Sequence, residues 1–447
     1  MPAISKKRAA NESADSGATA IAQDPVLPVP PPIDTYQDEP FTHGFFDEDR
    51  ATSEARSKWL KSVVVGVFVV CCVIWTVLPM YWAALGRTTG NIHNLLGYVV
   101  DFDGGQIGQT VTGAFASING RNQMSWLIMN ASEFPNGPSD LAAAVLDNRC
   151  WAAISINSGA TDGLNAAVNE SNASYKTSQA VTAYVESARN ENAYRTVIFG
   201  NVDAPLTAAS QAFALQFATQ LASRPGVPSL LATAPGLVTR PLYYTVNDLR
   251  PFDTPVASAV DFVGLIYLLI LAFMMTNQLL AARAETGFGR RLTLKSFIVM
   301  RLLVPPIMYF FVTLMYALLS YAFGVPFNRT FGRAGFVIYW MMSWCGMMAG
   351  LALESMLTIL TIKFIALFLV LWIITNVSVS FYPIEILPAI FRYGYAMPFY
   401  NVSKTARTII FNTKNQVGLN FGVQIAWIVL SCITLPFFQW LSRRREA

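Results

Sequence analysis

A chain of 447 residues that is 53% hydrophobic and 13% charged carries about half the charge of a soluble domain. That composition excludes an ordinary soluble protein, and a formal net charge of only +4 excludes a nucleic-acid binder. Five cysteines are too few and too scattered for a disulfide framework. Zinc-ligand spacing is absent, and only His43 and His93 could offer imidazole, so no metal and no cofactor is expected.

Residues 1–46 are polar and proline-rich, with "DPVLPVPPPIDTYQDEP" at their centre. Such a segment holds too little apolar surface to offset ordering, which predicts a disordered cytoplasmic tail. Residues 47–61 read as a short helix along the cytoplasmic membrane surface, with Trp59 at the headgroups and Lys58 and Lys61 facing anionic lipid. A membrane span needs about 20 mostly apolar residues. Residues 62–86 meet that length, and they begin too far into the chain to be a cleaved signal peptide.

Residues 87–255 have a different texture. The runs "LLGYVVDF", "MSWLIM", "WAAISIN" and "RTVIFG" carry the β-branched and aromatic content of strands. Between them "PSDLAAAVLDN", "ATDGLNAAVNE", "SYKTSQAVTAYVESARNEN" and "APLTAASQAFALQFATQLAS" show helical spacing. This alternation predicts an α/β domain, and "RPLYYTVND" reads as a strand that returns the chain to the membrane.

Further spans follow at 256–282, 297–323, 335–353, 364–381 and 420–441, with a cytoplasmic loop at 283–296 and a short tail at 442–447. The stretch 382–416 is too interrupted by proline and charge to span. It reads as an outer loop with re-entrant or interfacial helices, placing Tyr382, Phe391, Tyr393, Tyr395, Phe399 and Tyr400 at the interface. The expected fold is therefore an α-helical polytopic membrane protein. It has six transmembrane helices, with the α/β domain inserted on the extracytoplasmic side between the first two.

Lysine and arginine near span ends set orientation. Arg56, Lys58 and Lys61 precede the first span; Arg283, Arg290, Arg291 and Lys295 lie between the second and third, and Arg301 falls near the start of the third. Lys363 separates the fourth and fifth, and Arg443, Arg444 and Arg445 follow the sixth. With six spans all four groups fall on one side, so both termini are expected in the cytoplasm. Candidate N-glycosylation sites in the outward segments are Asn130, Asn169, Asn172 and Asn401.

Catalytic residues are not expected. In "DFDGG", Asp101 and Asp103 could face one cation, but the twelfth position of an EF-hand loop would be Thr112 instead of glutamate. The glycines do not match a nucleotide-binding fingerprint, no P-loop occurs, and no Gly-x-Ser-x-Gly elbow accompanies His93. Membrane-depth charges are functional candidates, here Asp261, Glu354, Glu385 and Arg392, although each can be read as reaching an interface. No span carries a charge at its centre, which argues against a proton-coupled antiporter.

The segments "LPMYWAALGR", "GYVVDFDGGQIG", "CWAAISINSGATDGLNAAV", "AYVESARNE", "VGLIYLLILAF" and "YPIEILPAIFRYGYAMPFYN", in this order across 61–443, resemble the fungal membrane family that includes the nitrosoguanidine-resistance proteins. More remotely the chain is similar to the bacterial phage-infection protein and to ABC-2-type permeases. The resemblance implies resistance to toxic alkylating compounds and drug or lipid movement across a membrane, most naturally the plasma membrane, otherwise another secretory-pathway membrane. In ABC-2 permeases the loop after the second span meets an ATPase; here Arg283, Arg290, Arg291 and Lys295 would contact such a partner or lipid. Expected partners are membrane lipid, a separate ATPase, a flippase or efflux pump, and a second copy of the chain. The alternative function is a non-transporting regulator or scaffold of a flippase, efflux pump or trafficking complex.

Overall fold

The computed structural model describes residues 43–360 and 362–446; up to residue 42, the expected proline-rich tail lies outside the described residues. The chain divides after Phe68 into two compact units.

In the first unit, Asp49 caps a helix by accepting from the Thr52 amide at 2.9 Å. Phe45 packs edge-on against Trp59, with ring centroids 5.6 Å apart. Arg56 Nη1 donates to the Phe45 carbonyl at 2.7 Å. That helix, Arg50–Thr76, shows no break at residue 61. The surface helix expected over 47–61 is thus continuous with the following apolar run, because no proline or glycine separates them before Gly66. The second unit begins at Val69, within that helix, and continues in a second helix, Pro79–Gly86, which starts at a proline.

A five-stranded sheet follows: β1 (Leu96–Asp101), β2 (Ser125–Met129), β3 (Ala152–Ile156), β4 (Val181–Val185) and β5 (Tyr244–Asp248). Their order is β2-β1-β3-β4-β5. β1 lies parallel to β2 and β3, while β4 is antiparallel to β3 and parallel to β5. Every residue of β3 is buried, as expected for a strand covered on both faces. On one face Val99, Ile154 and Ile156 pack with Ile107, Phe115 and Phe213; on the other Val100 and Ala153 pack with Leu141 and Val145.

Two segments exchange roles relative to the sequence reading. "RTVIFG" belongs to a helical run, a wide turn over Tyr194–Ile198 leading into the helix Phe199–Leu221. The fourth strand lies inside a segment read as helix, where Val181, Ala183 and Val185 are buried and Thr182 and Tyr184 are not fully so. That period of two is the strand signal; the small residues around it mimic a helix.

Among the described residues, five helical segments are long and apolar enough to cross a membrane: Arg50–Gly86, Pro255–Thr286, Leu294–Ala322, Ala334–Ile359 and Val417–Arg444. The span expected over 364–381 is a shorter helix, Ile362–Val377, of 16 residues. At 1.5 Å per residue it reaches about 24 Å, less than the ~30 Å of a hydrocarbon core. Beyond it, Ser378 and Ser380 turn their hydroxyls onto the Ile374 and Asn376 carbonyls, local bonding that competes with a continued helix.

Polarity in these helices is inverted. Along Leu294–Ala322, Arg301, Pro305, Tyr309, Thr313 and Ala317 recur every fourth residue on the buried side. Leu303, Ile307, Phe311, Met315 and Leu319 recur at the same spacing on the exposed side. Residues four apart share a helix face, so this helix turns apolar side chains outward and its polar ones inward, as a lipid environment requires. In the last span, Asn420, Gln424, Ser431 and Gln439 are buried, while Ile425, Val429, Ile433 and Phe437 are exposed.

Between the short helix and the last span the chain packs inward. Ile386 is buried in the core of the sheet, with Tyr382 against it, and the helix Pro398–Phe411 is buried on nearly every residue. Phe391 and Phe399 are buried as well. These aromatics, expected at the membrane interface, are therefore covered by protein, with Tyr395 an exposed exception. Joined in this way, the sheet region and the helices form one compact unit from Val69 to Ala447.

Candidate functional site

The buried helix Pro398–Phe411 carries Arg407 into the interior, where 3% of its surface is exposed. Its guanidinium is held by carboxylates from two elements. Nη1 lies 2.5 Å from Glu191 Oε2, in the sheet region, and Nη2 lies 2.9 Å from Asp261 Oδ2, at the start of the second span. Nη1 also donates to the Ala188 carbonyl at 2.9 Å. Asp261 takes this position because the helix Ser258–Asp261 breaks at Phe262 before Val263–Thr286 begins. Gly264 permits the close approach: a Cβ there would meet the Ala259 carbonyl oxygen at 2.0 Å. The anion also sits just before the positive end of the long helix.

Beside Arg407 lies a second cationic pair. Arg189 stacks on Trp151, 3.4 Å from the ring centroid, and donates to the Cys150 carbonyl at 2.9 Å. With Lys404, Tyr400, Ser380 and Arg407 it lines a small cavity of about 20 Å³, room for one water. Neither carboxylate oxygen of buried Glu186 has a hydrogen-bond partner among the described residues. Burial pushes the Glu186 carboxyl up to about 7, against the pull of Arg189 and Lys404. Burial and then the charge of Arg189 lower the Lys404 ammonium to about 8. Burial likewise raises the Cys150 thiol to about 12, leaving it an inert core residue.

A third charge cluster lies at the other end of the helices. Glu354, fully buried, receives Arg301 Nη2 at 2.7 Å and Arg283 Nη1 at 3.2 Å. Arg301 reaches further, to Thr358 Oγ1 at 2.8 Å and Gln439 Oε1 at 2.6 Å, and it also donates to the Glu354 carbonyl. Four helical segments meet in this cluster. Along the spans between it and Arg407, the hydroxyls of Thr276, Tyr309, Tyr339 and Ser343 are buried, with Thr276 facing Tyr309 and Ser343 facing Tyr339. A buried hydroxyl costs about 1–3 kcal/mol unless a neighbour or water satisfies it.

Several sequence expectations change accordingly. Asp261 and Glu354 do not reach an interface; both are fully buried in ion pairs. Arg283 is engaged by Glu354 and is not a free partner or lipid contact. Arg290, Arg291 and Lys295 are exposed, beside a loop whose Gly289 and Leu292 carbonyls accept from Arg443. Glu385 and Arg392 are exposed on an open cleft. Asn130, Asn169 and Asn172 are exposed, but Asn401 is buried, its amide donating to the Tyr395 and Met397 carbonyls at 3.0 and 2.8 Å. It cannot carry a glycan in this fold. In "DFDGG", Asp101 accepts from the Asp103 and Gly104 amides, and Asp103 from the Thr161 amide; these carboxylates brace a turn.

Arg301, Arg407, Glu191 and Gln439 went unread as site residues. From sequence Arg301 counts among the basic residues at a span end, yet it stands in phase with Tyr309 and Thr313, and that i, i+4 row of polar residues in an apolar window is the available signal. Nothing local marks Arg407, whose partners lie 216 and 146 positions away in sequence.

Inverted polarity and buried interhelical ion pairs define a helical membrane protein. The chain belongs to the family described as protein of unknown function DUF3533, whose model matches residues 66–433. It is similar to an uncharacterized endoplasmic reticulum membrane protein, YJR015W, of Saccharomyces cerevisiae. The two are 24% identical over 423 residues, covering 87% of this chain and 82% of the relative. No solved structure matches the chain.

Proposed function

We propose that this is a transport-type membrane protein of six passes, with both termini cytoplasmic and the sheet region outside, that moves amphiphilic molecules, toxic compounds or lipids, across or between leaflets. The observation carrying this reading is that the second span joins both charge clusters, Asp261 binding Arg407 at one end and Arg283 binding Glu354 at the other. At 1.5 Å per residue these positions lie roughly 30 Å apart, the thickness of a hydrocarbon core. A helix pinned by charge near both faces has two discrete ways to move, by releasing one pin or the other. The buried hydroxyls of Thr276, Tyr309, Tyr339 and Ser343 between the pins support a polar route that opens when the helices shift. Orientation rests on the lysine and arginine clusters. Exposed Arg290 and Arg291 are the proposed contact for a separate ATPase, in line with the resemblance to ABC-2 permeases. Its home is a secretory-pathway membrane: the plasma membrane first, with the endoplasmic reticulum the alternative suggested by the yeast relative's name.

The test is reconstitution of the full chain in liposomes, alone and with co-purified partners, following dithionite-accessible NBD-labelled lipid and a fluorescent cationic drug. Wild-type protein should move at least one of them, and Arg407→Gln or Glu354→Gln should slow that movement at least tenfold. A wild-type protein inert under every condition would sink the reading. A non-transporting scaffold is the second reading, favoured by Leu127 and Ile128, two adjacent exposed apolar residues on the edge strand β2, an edge that can accept a partner strand. Loss of co-purifying proteins from a Leu127→Lys/Ile128→Lys variant, beside a silent transport assay, would put that reading first.

A further inference from the structure

Where the first membrane-crossing segment ends at Gly86 and Arg87, an open cleft of about 980 Å³ separates that end from the loop around 384–395. Three arginines line it, Arg87, Arg121 and Arg392, against one acidic residue, Glu385. All three arginines are exposed, and none forms an ion pair among the described residues. This is the reverse of the interior, where each arginine of the two ion-pair clusters meets a carboxylate.

The walls are fixed before any ligand arrives. Asn91 Nδ2 donates to the Ile386 carbonyl at 3.2 Å and Asn94 Nδ2 to the Glu385 carbonyl at 3.0 Å, tying the segment Thr89–Asn94 to the facing loop. Behind them Ala84, Val379, Leu387 and Phe391 form a small apolar core. The surroundings are apolar on the membrane side: Trp82, one turn before Gly86, is 65% exposed and Ile390, on the facing loop, 77%.

We propose that this cleft binds the phosphate group of an amphiphile. Guanidinium forks match the paired oxygens of a phosphate, and unpaired arginines at the end of an apolar helix sit at headgroup depth. The volume exceeds what one inorganic ion needs, and the exposed Trp82 and Ile390 offer contact to acyl chains. A phospholipid headgroup and a free phosphate compound share this chemistry; the apolar flank favours the lipid. In naming a substrate class the inference rests on the transport reading; as a binding site it does not, and the two fail separately.

The experiment uses the full-length protein in dodecyl maltoside, a phosphate-free detergent, titrated calorimetrically at low salt with dioctanoyl phosphatidylglycerol, dioctanoylglycerol and inorganic phosphate. The phospholipid should bind and dioctanoylglycerol should not, and the variant Arg87→Gln/Arg121→Gln/Arg392→Gln should bind at least tenfold more weakly. Inorganic phosphate that binds as tightly as the phospholipid and displaces it would assign the cleft to free phosphate compounds within the same chemistry. Equal binding of both dioctanoyl compounds, or an unaffected triple variant, would overturn the site. Should the triple variant not fold, Glu385→Gln decides: removing the one opposing carboxylate should tighten binding several-fold, and weaker binding would refute the proposal. Lipid binding that persists in a protein inert in liposomes would leave the cleft standing while the transport reading falls.

Discussion

The sheet region and the membrane helices solve burial in opposite ways. β3 buries Ala152, Ala153, Ile154 and Ile156 and carries no charged residue. The span Leu294–Ala322 buries Arg301, Tyr309 and Thr313 and leaves Leu303, Ile307 and Phe311 outside. Each region is stable only in its own medium: apolar burial drives folding in water, whereas lipid tails are as apolar as leucine and leave packing and polar contacts to hold helices together. The helix Pro398–Phe411 works in both, with Phe399 and Val402 in the helical core and Arg407 bound to the sheet region.

This contrast can be broken most severely at Glu354. Glu354→Ala leaves Arg301 buried, with Arg283 beside it, without an anion, and unfolding in detergent should show a loss of about 3–5 kcal/mol. A loss under 1 kcal/mol would mean the charges are hydrated. In the sheet region the largest single effect should come from an apolar truncation: Ile154→Ala should cost about 3 kcal/mol, read from the same unfolding curves.

The pH dependence comes next. Glu186, raised from 4.5 to about 7 by burial, binds more protons folded than unfolded between those values, so it makes stability fall as pH rises towards 7. Lys404, lowered from 10.5 to about 8, binds fewer protons when folded, so its contribution makes stability rise between 8 and 10.5. Thermal midpoints across this range should show both limbs, the first abolished by Glu186→Gln and the second by Lys404→Met. Limbs that persist in those variants would place the titration elsewhere.

The smallest effect sharpens the comparison most. Phe311→Ala, on the outward stripe, removes as much apolar surface as a core truncation does, yet should shift stability by less than about 0.5 kcal/mol, because lipid or detergent replaces the contact. A cost near that of Ile154→Ala would mean this face is covered by protein.

Long apolar windows made the spans at 256–282, 297–323 and 420–441 easy to locate, since length alone identifies them. β1 and β3 were legible from their β-branched and aromatic runs. The fourth strand was not, because "VTAYV" is embedded among helix-tolerant residues and its alternation is only five residues long. The short helix was overread, since apolar composition continues past Val377 while Asn376, Ser378 and Ser380 close the backbone. Of the candidate site, Asp261, Glu354 and Arg283 could be singled out as charges, but not their partners. Pairings such as Asp261 with Arg407 exist only once the fold has formed.

That pairing has a consequence in time. β5 ends at Asp248 and the second span begins at Pro255, so the ribosome completes the sheet just before the second span emerges. Arg407 follows Asp261 by about 150 residues, on the order of 10–30 s of synthesis at ~5–20 residues per second. Throughout that interval Glu191 and Asp261 lack their cation, and three apolar helices enter the membrane before it arrives. Nascent chains arrested before residue 407 should therefore expose this carboxylate pair to solvent or to a chaperone, and the seal between sheet and helices should form only near the end of translation.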